Sequence, residues 1–313
     1  MATNNPRMAT KSTHPKISII TINYRQMEVT LQFLESTKSL TYPNFEILLI
    51  DNGCLEDYST TIASRFPKVI YFISKKNLGF AGANNLGMTK AKGDFFFIVN
   101  NDTEVTPNLL QHLISPFFEN NKIGAVSPKI KYFDHPTVIQ YAGFTKINRF
   151  TGRNTIIGFN EEDKGQHDVA RNTSYAHGAA MLVKRAVIES TGLFYEGYFM
   201  YYEELDWSER MVKQGYEIYY QPLGVIYHKA SFSIGKNSPL KTYYHTRNRI
   251  LFMRRAYLPS QLIVFYLYYT LVVMPATVVR FVRKRAFSHI APFFKGVIWN
   301  LYNRPTAIKQ TTP

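Results

Sequence analysis

The sequence predicts an α/β fold: a doubly wound sheet followed by a basic, apolar helical segment. Short β-branched and aromatic runs recur through residues 17–227, and several of them end at Asn or Asp. Segments with helical spacing lie between them, the alternation expected of strands joined by crossover helices. A third observation sets the C-terminal part apart: no acidic residue follows Glu217, and Leu262 to Val279 is apolar and uncharged. The expected divisions are a loose polar tail over 1–16, an α/β domain over 17–235 and a membrane-attaching segment over 236–313.

Ile17 to Ile22 reads as the first strand, ending at Asn23, with a helical stretch from about Glu28 to Leu40. Phe45 to Ile50 (FEILLI) reads as a second buried strand, and Asp51-Asn52-Gly53 then marks a turn. Val69 to Ile73 is the third strand. Asn77-Leu78-Gly79 leads into the small-residue stretch Gly82 to Gly87, which is expected to open a helix. Phe95 to Val99 is the fourth strand and ends in Asn100-Asn101-Asp102. Thr106-Pro107 has the chemistry of a helix cap followed by proline at the first helical position. From Lys129 to Asn172 the pattern loosens into a long loop or a small subsheet. Ala179 to Val183 resumes the strand pattern, a helix spans about Glu204 to Gln214, and Gly215 closes it. Two strands follow, near Glu217–Tyr220 and Val225–Tyr227.

At the carboxyl end of a buried strand, polar side chains enter the crevice where α/β proteins bind ligands. Asp102, with an oxygen donor two positions earlier, is suited to holding a divalent cation against a nucleotide diphosphate. Asn-Asn-Asp is equally a common way to begin a turn.

With 313 residues, 45% of them hydrophobic and 15% aromatic, the chain has material for one large domain plus an appendage, and global disorder is excluded. Cys54 is the sole cysteine, which excludes an internal disulfide or a multi-cysteine metal site and suits a reducing cytosol. Residues 1–16 contain no apolar core of a secretory signal. The net charge of +15 is unevenly placed: residues 218–313 carry 14 Lys or Arg and no acid, whereas the first 217 carry 23 basic and 22 acidic side chains. Such asymmetry points to an anionic partner, nucleic acid or a membrane surface. The apolar run flanked by Arg254-Arg255 and by Arg280, Arg283, Lys284 and Arg285 favours the membrane over nucleic acid. It only just reaches spanning length and contains Pro275, so attachment to one leaflet is expected, with both basic ends on the cytoplasmic side. Ile290 to Leu301 is a second amphiphilic piece, with Trp299 and Tyr302 as expected headgroup anchors.

The order of motifs resembles family 2 glycosyltransferases of GT-A fold, bacterial rhamnosyltransferase-like members above all. The blocks are Ile19-Ile20-Thr21-Ile22-Asn23-Tyr24, Leu49 to Gly53, Asn77 to Gly87, Asn100-Asn101-Asp102, Tyr201-Tyr202-Glu203-Glu204-Leu205-Asp206 and Tyr227-His228. Tyr243 to Arg249 resembles the segment that follows the catalytic region in that subgroup. The resemblance covers about residues 17–255 and implies a mixed sheet with a Rossmann-like nucleotide-binding half. Gly79 and Gly82 do not form the GxGxxG pattern, so a dehydrogenase reading loses its support.

The resemblance implies roles. Thr21 and Asn23 border the nucleoside, and Asp51 accepts from the pyrimidine imide, a preference for uracil or thymine over cytosine. Asn77, Gly79, Asn84, Asn85, Asn100 and Asn101 belong to the nucleotide-sugar site. Asp102 and His228 ligate Mg²⁺ or Mn²⁺, which stabilises the departing diphosphate. Asn100 stands where many members have aspartate, so weaker metal binding is expected. Glu204, second of the acidic pair, is the implied general base where many relatives have aspartate, and attack opposite the leaving group implies inversion. His177, Gly178, Ala179, Glu203, Asp206 and Trp207 fall near the acceptor or donor sugar. The plainer roles are a charged helix start for the acids and core packing for Trp207.

The function implied is metal-dependent transfer of a sugar, L-rhamnose from dTDP-rhamnose being the favoured case and a UDP-sugar the other, to a lipid-linked saccharide during bacterial surface polysaccharide synthesis. The enzyme would sit on the cytoplasmic face of the inner membrane, on an anionic surface, without nucleic acid. An inactive relative acting as a membrane-surface scaffold is the alternative. Oligomeric state is left open.

Overall fold

The computed structural model describes residues 14–229 and 238–306. Strands β1 (Ile17–Asn23), β2 (Phe45–Asn52), β3 (Val69–Ser74) and β4 (Phe95–Val99) are parallel and lie in the order β3-β2-β1-β4. They are linked by α1 (Met27–Thr37), α2 (Ser59–Arg65) and α3 (Gly79–Lys90). Ile17 and Ile19 pack into one apolar core and Ile20 into the other, because successive strand residues face opposite ways. Helices α1 and α2 cover the first face and α3 the second. The chain leaves β1 toward β2 on one side and has β4 on the other, so a crevice opens at their carboxyl ends.

The second half is antiparallel at its join. After β5 (Thr103–Val105), α4 (Leu109–Ile114) and α5 (Pro116–Glu119) comes β6 (Ile123–Tyr132), which the sequence reading missed. β10 (Ala180–Lys184) runs antiparallel to both β4 and β6, and β11 (Glu217–His228) runs parallel to β6 with β5 at the edge. Gly124 and Pro128 are poor strand residues, since proline cannot donate to a sheet ladder. β11 shifts register between Gln221 and Val225, opposite Pro128 and Lys129, and this bulge accommodates the proline. For the same reason β11 is one bulged strand and not the two expected. Residues 129–172 contain a small subsheet built from the end of β6, β7 (Val138–Tyr141) and β8 (Glu161–Glu162), and β9 (Arg171–Thr173) pairs antiparallel with β11. Helices α6 (Arg185–Thr191) and α7 (Glu203–Lys213) lie on either side of a loop that shapes the site.

The C-terminal part begins with α8 (Pro239–Ala256). Then α9 (Pro259–Tyr268), a π turn at Tyr269–Val273 and α10 (Met274–Arg283) form one helix of 25 residues, long and apolar enough to cross a membrane by length and composition. The wider π turn lies just ahead of Pro275, whose ring would crowd an unbroken α-helix. Phe265, Tyr269, Val273 and Phe281 share the core that includes the sheet, while Ile263, Leu267 and Leu271 on the other side are 61%, 57% and 71% exposed. α11 (Ile290–Tyr302) is seated on α8: Asn300 Nδ2 donates to the Arg247 carbonyl at 2.9 Å. Tyr302 is exposed as an anchor would be, but Trp299 is half-buried beneath the Arg247 guanidinium, 4.6 Å from its ring centre.

Residues 1–13 of the expected tail, and 230–237 and 307–313 of the expected C-terminal divisions, lie outside the described residues. Residues 15 and 16 are fastened, not loose. The Pro15 carbonyl accepts from Tyr42 at 2.7 Å, and Lys16 N donates to Asp94 at 2.9 Å.

Candidate active site

The carboxyl ends of β1 and β2 carry a buried polar chain. Asn23 Nδ2 donates to Asp51 Oδ1 at 2.8 Å, and the Tyr71 hydroxyl donates to Asp51 Oδ2 at 2.5 Å. Asn23 Oδ1 accepts from Thr30 at 3.0 Å, whose hydroxyl in turn accepts from Asn101 Nδ2 at 2.8 Å. One network therefore fixes Asp51 by way of β1, α1, β3 and the β4 end. Sheet register requires this, because Asn23 pairs with Asp51 directly. Burial and the Asp51 hydrogen bond push the Tyr71 phenol well up, which keeps it a donor. Thr21 points to the same face as Asn23, fully buried, with a hydroxyl that has no hydrogen-bond partner. Asn101 is spent on Thr30 and faces into the protein, a correction to its place among the nucleotide-sugar residues.

A second set of amides fixes the loop into α3. Asn52 Oδ1 accepts from Leu78 N at 2.7 Å and its Nδ2 donates to Asn77 at 3.1 Å, while Asn77 Oδ1 accepts from Gly79 N at 2.9 Å. Gly79 is left-handed at φ +72, and a Cβ there would lie 2.5 Å from Phe199, so glycine is required. Asn84 donates back one turn to the Phe80 carbonyl at 3.1 Å, and Asn85 binds the Phe194 backbone and Glu196 at 2.9–3.0 Å. Both asparagines are thus internal ties of α3.

At the β4 end, Asp102 Oδ1 lies 3.1 Å from His228 Nε2, yet neither atom has a hydrogen-bond partner. Gln140 explains the geometry. Its Oε1 sits 2.7 Å from His228 Nδ1 and can only accept, so Nδ1 carries a proton; a neutral ring then presents the Nε2 lone pair to the carboxylate, and a charged ring donates from Nε2 to it. With the ring neutral, two buried acceptors aimed at one another make a cation position. Burial would raise the Asp102 carboxyl, but His228 and Asn100 outweigh it and hold it below its ordinary value. Among the described residues no group of three or more His, Cys, Asp or Glu gathers as ligands. A cation here would take two protein ligands and find the rest on a diphosphate and water, as Mg²⁺ and its analogues commonly do.

The β10 approach joins this end to the acidic pair. Asn100 N donates to the Ala179 carbonyl at 3.0 Å, and a Cβ on Gly178 would meet Glu204 Cδ at 3.6 Å. His177 is stacked on Phe144 at 5.7 Å, its Nδ1 accepts from Ala179 N at 3.0 Å, and burial followed by the His228 charge pushes it down to about 3. It is a neutral wall of the site. Glu203 and Glu204 each keep one carboxylate oxygen without a partner. Burial, then the Glu204 charge, pushes Glu203 well up, and burial pushes Glu204 up to about 7. A half-ionised carboxylate in a dry site is what general-base chemistry near neutral pH requires.

Two expected site residues are structural. Asp206 is fully buried between Arg255 Nε at 2.6 Å and Arg210 Nε at 3.0 Å, with Tyr198 donating at 3.1 Å. Trp207 is sealed in the core, its Nε1 donating to the Gly192 carbonyl at 2.8 Å, so it cannot stack on a sugar. Residues assigned no role from the sequence also act here. Phe199, Tyr201 and Tyr202 all have positive φ, and this left-handed stretch leads straight into Glu203. Asn248 holds it, with Nδ2 2.7 Å from the Met200 carbonyl and 2.8 Å from that of Tyr201, and Arg247 donates to the Gly197 carbonyl at 2.7 Å. The Arg-Asn-Arg run was the available signal.

Comparison with known proteins agrees with this layout. The family described as Glycosyl transferase family 2 matches residues 18–192. The chain is 24% identical over 257 residues to N-acetylglucosaminyl-diphospho-decaprenol L-rhamnosyltransferase of Mycobacterium tuberculosis, covering 76% of this chain and 83% of that protein. It is 22% identical over 296 residues to the low-salt glycan biosynthesis hexosyltransferase Agl10 of Haloferax volcanii, covering 92% of each. Among solved structures, a mannosyltransferase from Pyrobaculum calidifontis in complex with GDP-Man and Mn²⁺ shares the fold, with a TM-score of 0.58 and 14% identity over 93% of this chain and 88% of that one.

Proposed function

The chain belongs to glycosyl transferase family 2, and from that premise we propose that it moves a sugar, with inversion, from a pyrimidine nucleotide-sugar to a lipid-linked saccharide. That it is a nucleotide-sugar-dependent glycosyltransferase of GT-A fold follows from the family match, the named relatives and the shared fold. The proposed donor is dTDP-rhamnose and the proposed acceptor a saccharide on a polyprenyl diphosphate, supported by the rhamnosyltransferase relative.

The observation that carries the reading is the facing pair Asp102 Oδ1 and His228 Nε2, buried and 3.1 Å apart at the β4 end. In this reading they hold Mg²⁺ or Mn²⁺, which when bound neutralises the departing diphosphate. Asp51, fixed by Asn23 and Tyr71, keeps lone pairs for the imide N–H of uracil or thymine. Gly79 lets backbone come close to the donor. Glu204 removes the proton of the acceptor hydroxyl as that oxygen attacks the anomeric carbon from the side opposite the diphosphate. His177 and Gly178 exclude water beside it. The exposed apolar face of α9 and α10, with Arg280, Arg283, Lys284 and Arg285 after it, supports attachment to the cytoplasmic face of the plasma membrane.

The test is release of nucleoside diphosphate by the purified chain with Mn²⁺ and a panel of dTDP- and UDP-sugars. Release that requires the metal and is lost in Asp102→Ala is expected. No release from any donor, or full release from Asp102→Ala, overturns the reading.

A further inference from the structure

We propose that Arg249 and Arg153 form a second anion site, on the acceptor side of the cavity, that takes the phosphate groups of a prenyl-diphosphate-linked acceptor. The proposal rests on the glycosyltransferase reading above and names a feature of that acceptor.

Arg249 projects from α8 with its guanidinium over the Tyr269 ring at 5.2 Å, and one terminal nitrogen donates to the Thr151 carbonyl. Its Nε is buried and has no partner. Among the described residues the arginines in ion pairs are Arg210 and Arg255, so neither Arg249 nor Arg153 has a carboxylate. Arg153 closes a tight turn in which Asn148 N donates to the Arg153 carbonyl at 2.9 Å. That turn is pressed against the start of the apolar helix: a Cβ on Gly152 would lie 2.9 Å from Phe265 and 3.2 Å from Met253.

Tyr202 marks where these groups meet. Burial pushes its phenol up to about 12, and the charges of Arg249, Glu204 and Arg153 all act on it. Burial is the main cause that lowers Arg249, and the positive charge of Arg153 adds to it. Arg249 thus has a buried Nε–H without an acceptor, beside a second guanidinium, and among the described residues neither is ion-paired to a carboxylate. An anion supplies the missing acceptor, and paired arginines match phosphate oxygens in geometry as well as charge.

Position along the protein identifies the anion. Tyr202 precedes the acidic pair that ends in Glu204, where the acceptor hydroxyl must arrive. Tyr269, under the Arg249 guanidinium, belongs to the helix whose Ile263, Leu267 and Leu271 are exposed. Hydroxyl site, cationic pair and apolar face follow the order of sugar, diphosphate and hydrocarbon in such an acceptor. The donor diphosphate belongs at the Asp102 and His228 end.

The test uses the full chain in neutral detergent, saturated with UDP and Mn²⁺ so that the donor position is filled, and titrated with farnesyl diphosphate or farnesol. Arg153→Gln, an exposed position that does not threaten folding, should weaken farnesyl diphosphate by about tenfold, the scale of one charge-assisted hydrogen bond. Farnesol binding should stay the same. Arg249→Gln should act in the same direction. Equal farnesyl diphosphate affinity in wild type and Arg153→Gln overturns the site. So does an equal loss for farnesol, which would mean lost packing. So does an effect confined to flotation with phosphatidylglycerol vesicles, which would assign the arginines to lipid headgroups. A chain that releases nucleoside diphosphate yet shows any of these refutes this site alone; a chain that releases none refutes the reading beneath it.

Discussion

His228 turns Nε2 toward Asp102 because Gln140, 2.7 Å from Nδ1, fixes the ring tautomer. Gln140→Leu removes that constraint and lets Nε2 carry the proton, which it would donate to Asp102. Metal affinity should fall by about 10- to 100-fold, the usual cost of losing a partner that orients a ligand. A Mn²⁺ titration of nucleoside diphosphate release measures it, and an unchanged half-saturation would refute the tautomer argument. His228→Ala should raise the metal requirement further.

Glu204→Gln should lower transfer by about a hundredfold or more while donor affinity is kept, since an amide cannot take the acceptor proton. The wild-type profile has a definite sign. With its carboxyl pushed up to about 7, Glu204 is protonated and idle in acid, so kcat/KM should rise with pH through that value. A profile flat from pH 5 to 8, or a loss of donor binding in the variant, would remove Glu204 from the role.

Glu203 gives a stability test. Its carboxyl is raised in the folded chain, first by burial and then by Glu204, so the folded state holds a proton that the unfolded chain releases above its ordinary value of 4.5. That contribution to stability is complete below 4.5 and shrinks as pH rises toward the folded value. Glu203→Gln abolishes the dependence. Its Tm should match wild type in acid and exceed it by roughly 2–4 °C at pH 8, about the shift that 1 kcal/mol produces in a domain of this size. A Tm difference that does not grow with pH would contradict this.

Membrane attachment is best tested on the surface of α9. Phe265, Tyr269 and Phe293 belong to the core, so truncation before Pro259 would expose apolar surface as well as remove an anchor. Leu267→Glu combined with Leu271→Glu changes side chains that are 57% and 71% exposed. The double variant should keep its fold by circular dichroism and leave the membrane pellet, because each buried leucine is worth about 1.5–3 kcal/mol of apolar transfer. Continued sedimentation with membranes would refute attachment through this face.

The parallel half of the fold was legible because its strands are short runs rich in β-branched and aromatic residues, β4 being apolar and buried throughout. β6 was not, since Gly124 and Pro128 are ordinary turn residues unless a bulge in a neighbouring strand, invisible to local pattern, makes room for them. Asp51, Asp102, Glu204 and His228 could be named because each ends or begins an element in a recognisable order of motifs. The assignments that failed share a cause. Asn84, Asn85, Asn101, Asp206 and Trp207 lie within or beside the right motifs, but side-chain direction depends on helix phase and on partners far along the chain. Asn85 and Phe194 are 109 residues apart, and Asp206 and Arg255 are 49 apart. Gln140 left no local signal at all.

The amide of Asn248 reaches the carbonyls of Tyr198, Met200 and Tyr201 in the strained stretch before Glu203, from a helix whose neighbours include α7, α9 and α11. The carboxylate proposed to take the proton and the greasy helix beyond it are therefore parts of one stiff bracket. Whatever surface that helix meets, the proton acceptor stands at a set height above it. Reach, as much as recognition, then decides which hydroxyl is glycosylated.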